Sequence, residues 1–497
     1  MHKKITMKNL KKLVLLFIVS SLTLSCFEDK DDNGIFASEI NDFVWKGMNV
    51  WYLYKDNIPN LANDRFTTNE EYANYLNTFS TPEDIFESLI YQRETIDQFS
   101  WITDDYIANE QFLNGIGLHN GMEYGLFRFT PQDTELYGYV RYILPNTDAE
   151  NKDLQRGDVF YAVDGAQLTV NNYRSLLSSE SYNINLGSYN DNGTPEIEDD
   201  TIAPGGETIS LTKSEYTENP IYTSSVLNID MHTIGYLVFN GFNGSSSELN
   251  NVFGTFKSEG ITDLVLDLRY NPGGFTSKAI LMASLITGQF TGDVMNTDQY
   301  NSEAQAAFES QNPEFLLDRF ISSEDGMTLN SLNLDKVYVL VTRGSASASE
   351  FVINSLNPYI EVIQIGTNTR GKYQGSFTLY DSPNFGREGA NPNHTYALQP
   401  LTFKYSNING DTDFIDGLSP DIILGEDYNN LGVLGDVNEP LLAEAIEDIT
   451  SSGRSANQKD NSFETPFEFI NSDDRENRMY KDKRIPNGVI ERLFFNK

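Results

Sequence analysis

The sequence predicts a multidomain α/β protein: an N-terminal helical unit, then a β-rich module, then a larger unit built on a parallel sheet. Three observations lead there. The chain has 497 residues, 39 % of them hydrophobic and 12 % aromatic, which supplies two or three cores of ordinary size. Its hydrophobic period changes twice, from helical spacing to short β runs and then to strands alternating with helices. In the last region the apolar runs Leu264 to Leu268, Val337 to Val341 and Val362 to Ile365 each end in a glycine-bearing turn, as strands covered on both faces do.

The first twelve residues carry five lysines and no acid, and Leu13 to Leu24 is an apolar run that ends at Ser25-Cys26. This is the layout of a signal peptide over residues 1–25, and the run is shorter than the roughly 20 apolar residues of a spanning helix. Cys26, the single cysteine of the chain, follows a small residue and resembles the acylated cysteine of bacterial lipoproteins, with Thr23 standing where Leu is usual. That resemblance implies lipidation at Cys26, an acidic tether over residues 26–35, and an exported, membrane-anchored protein of the bacterial cell envelope, at the outer membrane or cell surface. Removing residues 1–25 takes away five lysines and no acids, so the formal charge moves from −37 to −42. Such a surface repels nucleic-acid phosphates and anionic headgroups alike, so nucleic acid is excluded as a partner and membrane attachment falls to the lipid.

Residues 36–112 read as helical, with Phe43, Val44, Met48, Trp51 and Tyr52 on a 3.6-type period and a helix start at Thr81-Pro82-Glu83-Asp84. Residues 113–213 change to short β runs around Gly115 to Leu118, Leu126 to Phe129, Tyr139 to Leu144 and Val159 to Val163. A helix is expected over Val170 to Leu177, and the polar stretch Gly187 to Glu207 reads as a surface loop. Residues 214–450 carry the α/β pattern, and residues 451–497 form a polar tail with isolated apolar clusters and no assigned role.

Parallel sheets bind ligands beyond the carboxyl ends of their strands, so the three turns should converge on one site. The second reads Arg343-Gly344-Ser345-Ala346-Ser347-Ala348-Ser349-Glu350-Phe351 and places a serine at a helix N-terminus, where free N–H groups and the dipole stabilise an oxyanion. A serine nucleophile needs a base. The four histidines, His2, His119, His232 and His394, all lie outside these turns, whereas the third turn supplies Lys372. A lysine serves as base only where burial lowers its pKa by several units from about 10.4.

Arg269-Tyr270-Asn271-Pro272-Gly273-Gly274, Ser345-Ala346-Ser347-Ala348-Ser349-Glu350 and Gly371-Lys372, in this order, resemble the C-terminal processing peptidases, also called tail-specific proteases. The resemblance covers roughly Phe43 to Ile449 and extends to the closing Gly417-Leu418-Ser419-Pro420-Asp421. It implies a crotonase-like ββα catalytic domain with Ser347 as nucleophile and Lys372 as base, and an oxyanion hole from the Ala348 N–H with that of Gly273 or Gly274. Family members often carry a glutamine four residues after the lysine; that position is Ser376 here and the nearest glutamine is Gln374, so either is a candidate third member. Ser345 and Ser349 read as packing or hydrogen-bonding residues. Leu154-Gln155-Arg156-Gly157-Asp158-Val159 and Ala162 to Gly165 resemble a circularly permuted bacterial PDZ domain, which implies that Gly115, Ile116, Gly117 and Leu118 receive a peptide terminus.

The expected activity is therefore a serine endopeptidase acting on exported or misfolded proteins recognised near their C-termini. Its partners are protein or peptide substrates, and it uses no cofactor, metal or nucleotide. Gly366 to Lys372 satisfies half of a phosphate-binding loop, but Tyr373 replaces the magnesium-ligating Ser/Thr and a strand, not a helix, follows. Asn407 to Gly417 lacks the closing Glu of a calcium loop and reads as a solvated hairpin. The competing reading from another class is a peptide-binding lipoprotein that keeps a peptidase scaffold without cutting.

Overall fold

The computed structural model describes residues 38–194, 197–451, 467–469 and 478–494. The expected signal peptide, Cys26 and the acidic tether lie outside the described residues.

A six-stranded sheet organises the larger unit, in the order Ile221–Ile229, His232–Phe239, Asp263–Asp267, Lys336–Val341, Glu361–Gly366 and Ile422–Ile423. The first pair is antiparallel and every other pair parallel. The strand alternation sorts side chains onto two faces. Leu264, Leu266, Val337, Val339 and Val341 enter one apolar cluster, and Val265, Tyr338, Leu340 and Ile365 the other. The helices Ser246–Glu259, Thr276–Ile286 and Ala348–Leu356 contribute to the first face, and Pro440–Thr450 covers the second through Leu441, Leu442, Ala445 and Ile449. Both faces are thus buried, which is why the strands read as continuous apolar runs.

Of the N-terminal helices, Glu39–Trp51 places Phe43, Val44, Met48 and Trp51 in that same first cluster, Asn69–Leu76 adds Leu76 and Pro82–Ser88 adds Ile85 and Phe86, while Tyr106–Leu113 packs Tyr106 against Tyr380 and Ala397. The Thr81 start is a reciprocal cap: the Asp84 N–H donates to Thr81 Oγ1 at 3.1 Å and the Thr81 N–H to Asp84 Oδ2 at 3.2 Å. One part of this helical stretch is a strand: Trp101–Thr103 pairs antiparallel with Ala397–Gln399. Three residues are too few to show a period of two.

The β module has its own core around Met122, Val140, Phe160, Leu168, Ile184 and Leu211. Its helix is Tyr173–Ser178, a little later than expected, because the Asn172 side chain closes a turn onto the Thr169 N–H at 2.7 Å just before it. The stretch expected as a surface loop is instead the far end of a long hairpin, with Gly187 to Asn190 paired to Pro204 to Thr201. Exposed strand ends need no apolar alternation, so composition alone hid them. The β run expected around Gly115 to Leu118 is the strand Ile116–His119, paired with Ser214–Thr217. Antiparallel pairing commits every second N–H to that partner and turns the others to the opposite edge.

The C-terminal tail contributes defined elements. Phe467–Phe469 and Arg478–Tyr480 are short strands, and the helix Asn487–Phe494 buries Val489 and Leu493 in the first cluster.

Between the module and the sheet lies a buried charge network. Arg269, 1 % exposed, donates to Asp267 at 2.8 and 2.9 Å and to Glu439 at 2.6 and 2.9 Å. Glu426 receives Arg269 at 3.3 Å and Arg156 of the module at 2.9 Å, while Arg156 also donates to the Tyr270 hydroxyl at 2.6 Å. Removing one partner of such a set leaves carboxylates uncompensated in the interior. Arg269→Ala should lower unfolding free energy in urea by about 3–5 kcal/mol; an unchanged urea midpoint would show that the network carries no stability.

Candidate active site

The site is built from four backbone segments that meet beyond the carboxyl ends of the parallel strands. Ser347 ends the turn after Lys336–Val341 and is the N-cap of the helix Ala348–Leu356. Its backbone is in the left-handed half of the map, with φ 62° and ψ −109°. For a residue with a Cβ this costs on the order of 1–3 kcal/mol and persists only where neighbours dictate it.

Those neighbours centre on Glu350, which is fully buried. Its Oε2 accepts the Ser347 N–H at 2.7 Å and the Lys372 N–H at 2.9 Å; its Oε1 accepts the Gly371 N–H and the Thr369 hydroxyl, each at 2.6 Å. Burial raises the Glu350 carboxyl above its ordinary value, and these four donors pull against that shift. One carboxylate oxygen therefore ties the serine's backbone to the lysine's. The Arg370 N–H adds a bond to the Ser345 carbonyl at 2.9 Å.

The Pro-Gly-Gly turn is fixed to the same point through Asn271. The Asn271 carbonyl accepts the Ala346 N–H at 3.1 Å and the Ser349 hydroxyl at 2.9 Å, and its side chain donates to the Phe239 carbonyl at 2.7 Å. Ser345 Oγ donates to the Leu268 carbonyl at 2.8 Å. Ser345 and Ser349 thus serve the scaffold, whereas Ser347 Oγ is buried and has no hydrogen-bond partner among the described residues.

The amides divide by their bonds. The Ser349 N–H donates to the Ala346 carbonyl at 3.0 Å and the Phe351 N–H to the Ser347 carbonyl at 2.8 Å. Ala348 opens the helix, so it has no carbonyl one turn back to donate to. The Gly273 N–H donates to Asn271 Oδ1 at 2.9 Å, which commits it to its own turn. Of the two expected glycine donors, Gly274 is the one this leaves. Its φ of 143° brings its backbone so close to Phe242 that an added Cβ would lie 2.4 Å from the Phe242 carbonyl oxygen.

Lys372 is 2 % exposed, and its Nζ lies 4.9 Å from the Phe99 ring centroid. Its loop is held by close backbone packing: a Cβ on Gly371 would meet the Ile415 carbonyl at 2.1 Å and one on Gly417 the Thr369 carbonyl at 2.1 Å. The closing Gly417 to Asp421 segment therefore braces the lysine loop. Gln374, 1 % exposed, donates to the Tyr54 hydroxyl at 3.1 Å, and its Oε1 has no partner among the described residues. Ser376 spends its backbone N–H on Met479 and its carbonyl on Lys481.

Three histidines fall within the described residues, each beside a carboxylate of its own: His119 with Glu123 at 2.8 Å, His232 with Asp263 at 2.8 Å and His394 with Asp381 at 2.9 Å. His232 opens its strand, at the end of the sheet opposite to Ser347. Gly115 lies beside the sheet unit, where a Cβ would come within 3.2 Å of the Asn243 amide, next to Phe242. Sequence reasoning assigned no role to Glu350, Thr369 or Asn271; a fixed acid three residues after the serine was the available signal for the first.

Two outcomes test this geometry. Ser347→Gly removes the Cβ from a left-handed backbone and should raise stability by about 1 kcal/mol, seen as a higher Tm; a lower Tm would contradict the strain. Glu350→Gln sets an amide donor against N–H donors and should cost about 1–3 kcal/mol, with a native far-UV spectrum and a shifted urea midpoint; an unshifted midpoint would contradict the clamp.

Residues 39–101 match the peptidase S41 N-terminal domain, and residues 233–424 match peptidase family S41. The chloroplastic C-terminal processing peptidase of Tetradesmus obliquus is 26 % identical over 245 residues, 46 % of this chain and 46 % of that protein. The carboxyl-terminal-processing protease of a Picosynechococcus strain is 27 % identical over 241 residues, 48 % of this chain and 52 % of that protein. The chain thus matches about half the length of these curated relatives. A crystal structure of a candidate S41 protease from Bacteroides fragilis aligns over 82 % of this chain and 96 % of its own, with a TM-score of 0.61 at 22 % identity, a likeness of fold. The matched regions take in the first helices and the parallel strands of the sheet, with the turns that carry Ser347, Lys372 and the Pro-Gly-Gly segment, and the chain belongs to peptidase family S41.

Proposed function

We propose that the chain is a serine endopeptidase that uses a Ser347–Lys372 dyad on protein substrates. The observation that carries this is the shared Glu350 oxygen, which fixes the backbones of the two residues against each other in the interior. The catalytic unit is read as crotonase-like, in keeping with the family resemblance.

The neutral amine of Lys372 takes the proton from Ser347 Oγ as that oxygen bonds to the substrate carbonyl carbon. The Ala348 and Gly274 N–H groups receive the negative oxygen of the tetrahedral species. Collapse breaks the C–N bond, and the protonated Lys372 returns the proton to the leaving amine. Water then attacks the acyl-enzyme by the same route in reverse. Gln374, whose buried Oε1 has no partner among the described residues, is read as the positioning residue for Lys372, with Ser376 as the alternative.

The β module is read as a PDZ-like peptide binder, and Cys26 as the lipid anchor of an exported, cell-envelope enzyme. No helix among the described residues is long and apolar enough to cross a membrane.

The test compares wild type, Ser347→Ala and Lys372→Ala on an unfolded reporter protein. Loss of the base should lower kcat by about 10²–10⁴-fold and loss of the serine by at least as much. The wild-type rate should rise with pH as the lysine loses its proton. Equal cleavage by all three proteins, or a rate flat from mildly acidic to alkaline pH, would overturn the dyad; no cleavage by wild type would favour a non-cutting peptide binder.

A further inference from the structure

The chain's own tail lies where the proposed mechanism needs a substrate. Phe467–Phe469 adds antiparallel to the outer edge of Met122–Arg128, opposite Arg128, Phe127 and Leu126. This is strand addition to a sheet edge, the mode by which such modules take extended peptides. Arg478–Tyr480 then runs parallel to Gly273–Phe275. On its other side the Ser376 N–H donates to the Met479 carbonyl at 3.0 Å, and the Lys481 N–H donates to the Ser376 carbonyl at 3.1 Å. The tail is the middle strand between the Pro-Gly-Gly turn and the strand that follows Lys372.

Register brings it to the oxyanion donor. The Gly273 carbonyl accepts from the Phe242 N–H at 2.8 Å, and the Phe275 N–H donates to the Phe242 carbonyl at 2.7 Å. Successive residues of a strand turn their backbone groups to opposite edges, so the N–H and C=O of Gly274 face the tail.

The seat is built for a particular pattern. Met479 is 0 % exposed and belongs to the main apolar cluster. Lys481, with its side chain 1 % exposed, is ion-paired to Asp298 and, at 3.3 Å, to Asp318. The Ser277 hydroxyl donates to Asp482 at 2.5 Å. A buried lysine between two buried carboxylates is tolerated only with its partners in place, so this seat expects a cation.

We propose that the edge Gly273–Phe275 is the backbone-pairing site for an extended peptide with an apolar side chain followed two residues later by a basic one, and that Arg478–Tyr480 is its resident competitor in cis. The proposal rests on the peptidase reading for its effect on rate, but occupancy is measurable without cleavage. A tethered segment acts at an effective concentration of about 1 mM, so a peptide of Kd about 0.1 mM would keep roughly nine-tenths of the clefts closed.

The probe is a fluorescent synthetic peptide of residues 478–485, followed by anisotropy on full-length chains that carry Ser347→Ala. Adding Met479→Arg, which places a charge in an apolar seat, should tighten apparent probe binding about tenfold over the same chain with Met479. Equal binding by both chains, or by neither, would overturn the proposal. With Ser347 restored, Met479→Arg should raise kcat/KM about tenfold; an unchanged kcat/KM in a protein that still cleaves would also overturn it. Failure of both chains to cleave, with the binding difference kept, would strike the peptidase reading alone. Should Met479→Arg not fold, a specific protease site placed within residues 453–460 allows the tail to be cut after folding. Probe binding that rises once the cut tail is washed away supports the proposal, and unchanged binding overturns it.

Discussion

The site depends on a single buried carboxylate. The charge of Glu350 rests on three backbone N–H groups and one hydroxyl. Donors of this kind bind an anion at fixed directions, so the carboxylate acts as a template on which two loops from different strands set to one geometry. The left-handed backbone of Ser347 stands on this template, with its N–H held by the same carboxylate oxygen that holds the Lys372 N–H.

Around that template the scaffold is redundant. Asn271 ties the Pro-Gly-Gly turn to the serine turn, and Arg269, one turn earlier, ties the same segment to Glu439 on the far helix and, through Glu426, to Arg156 of the β module. The site is thus tied to the scaffold from several sides, and its remaining side is the strand edge that carries Arg478–Tyr480. Strand edges recruit other strands.

How far the sequence discloses this depends on which force dominates locally. Buried parallel strands announce themselves as apolar runs because both faces are covered, and the turns that follow them carry small residues because backbones nearly touch, as at Gly371 and Gly417. The meeting of the turns that hold Ser347, Ala348 and Lys372 was legible for that reason. Segments held mainly by backbone pairing were not: the outer hairpin at Gly187 to Asn190, the three-residue strand Trp101–Thr103, and the tail strands all lack the length or the alternation that would mark them. That the Gly273 N–H is spent within its own turn was invisible too, because it depends on where the Asn271 side chain points.

The pairing of Trp101–Thr103 with Ala397–Gln399 has a consequence for how the chain folds. The Leu401 N–H donates to the Ser100 hydroxyl across a separation of 301 residues, and the N-terminal helices share their core with the sheet. Contacts of such span repay their loop-closure entropy only after nearly everything between them is in place. The first helices therefore wait, apolar faces uncovered, until the distant strand arrives. During that interval the chain is open to aggregation and to proteases, so its most vulnerable state is the unfinished protein.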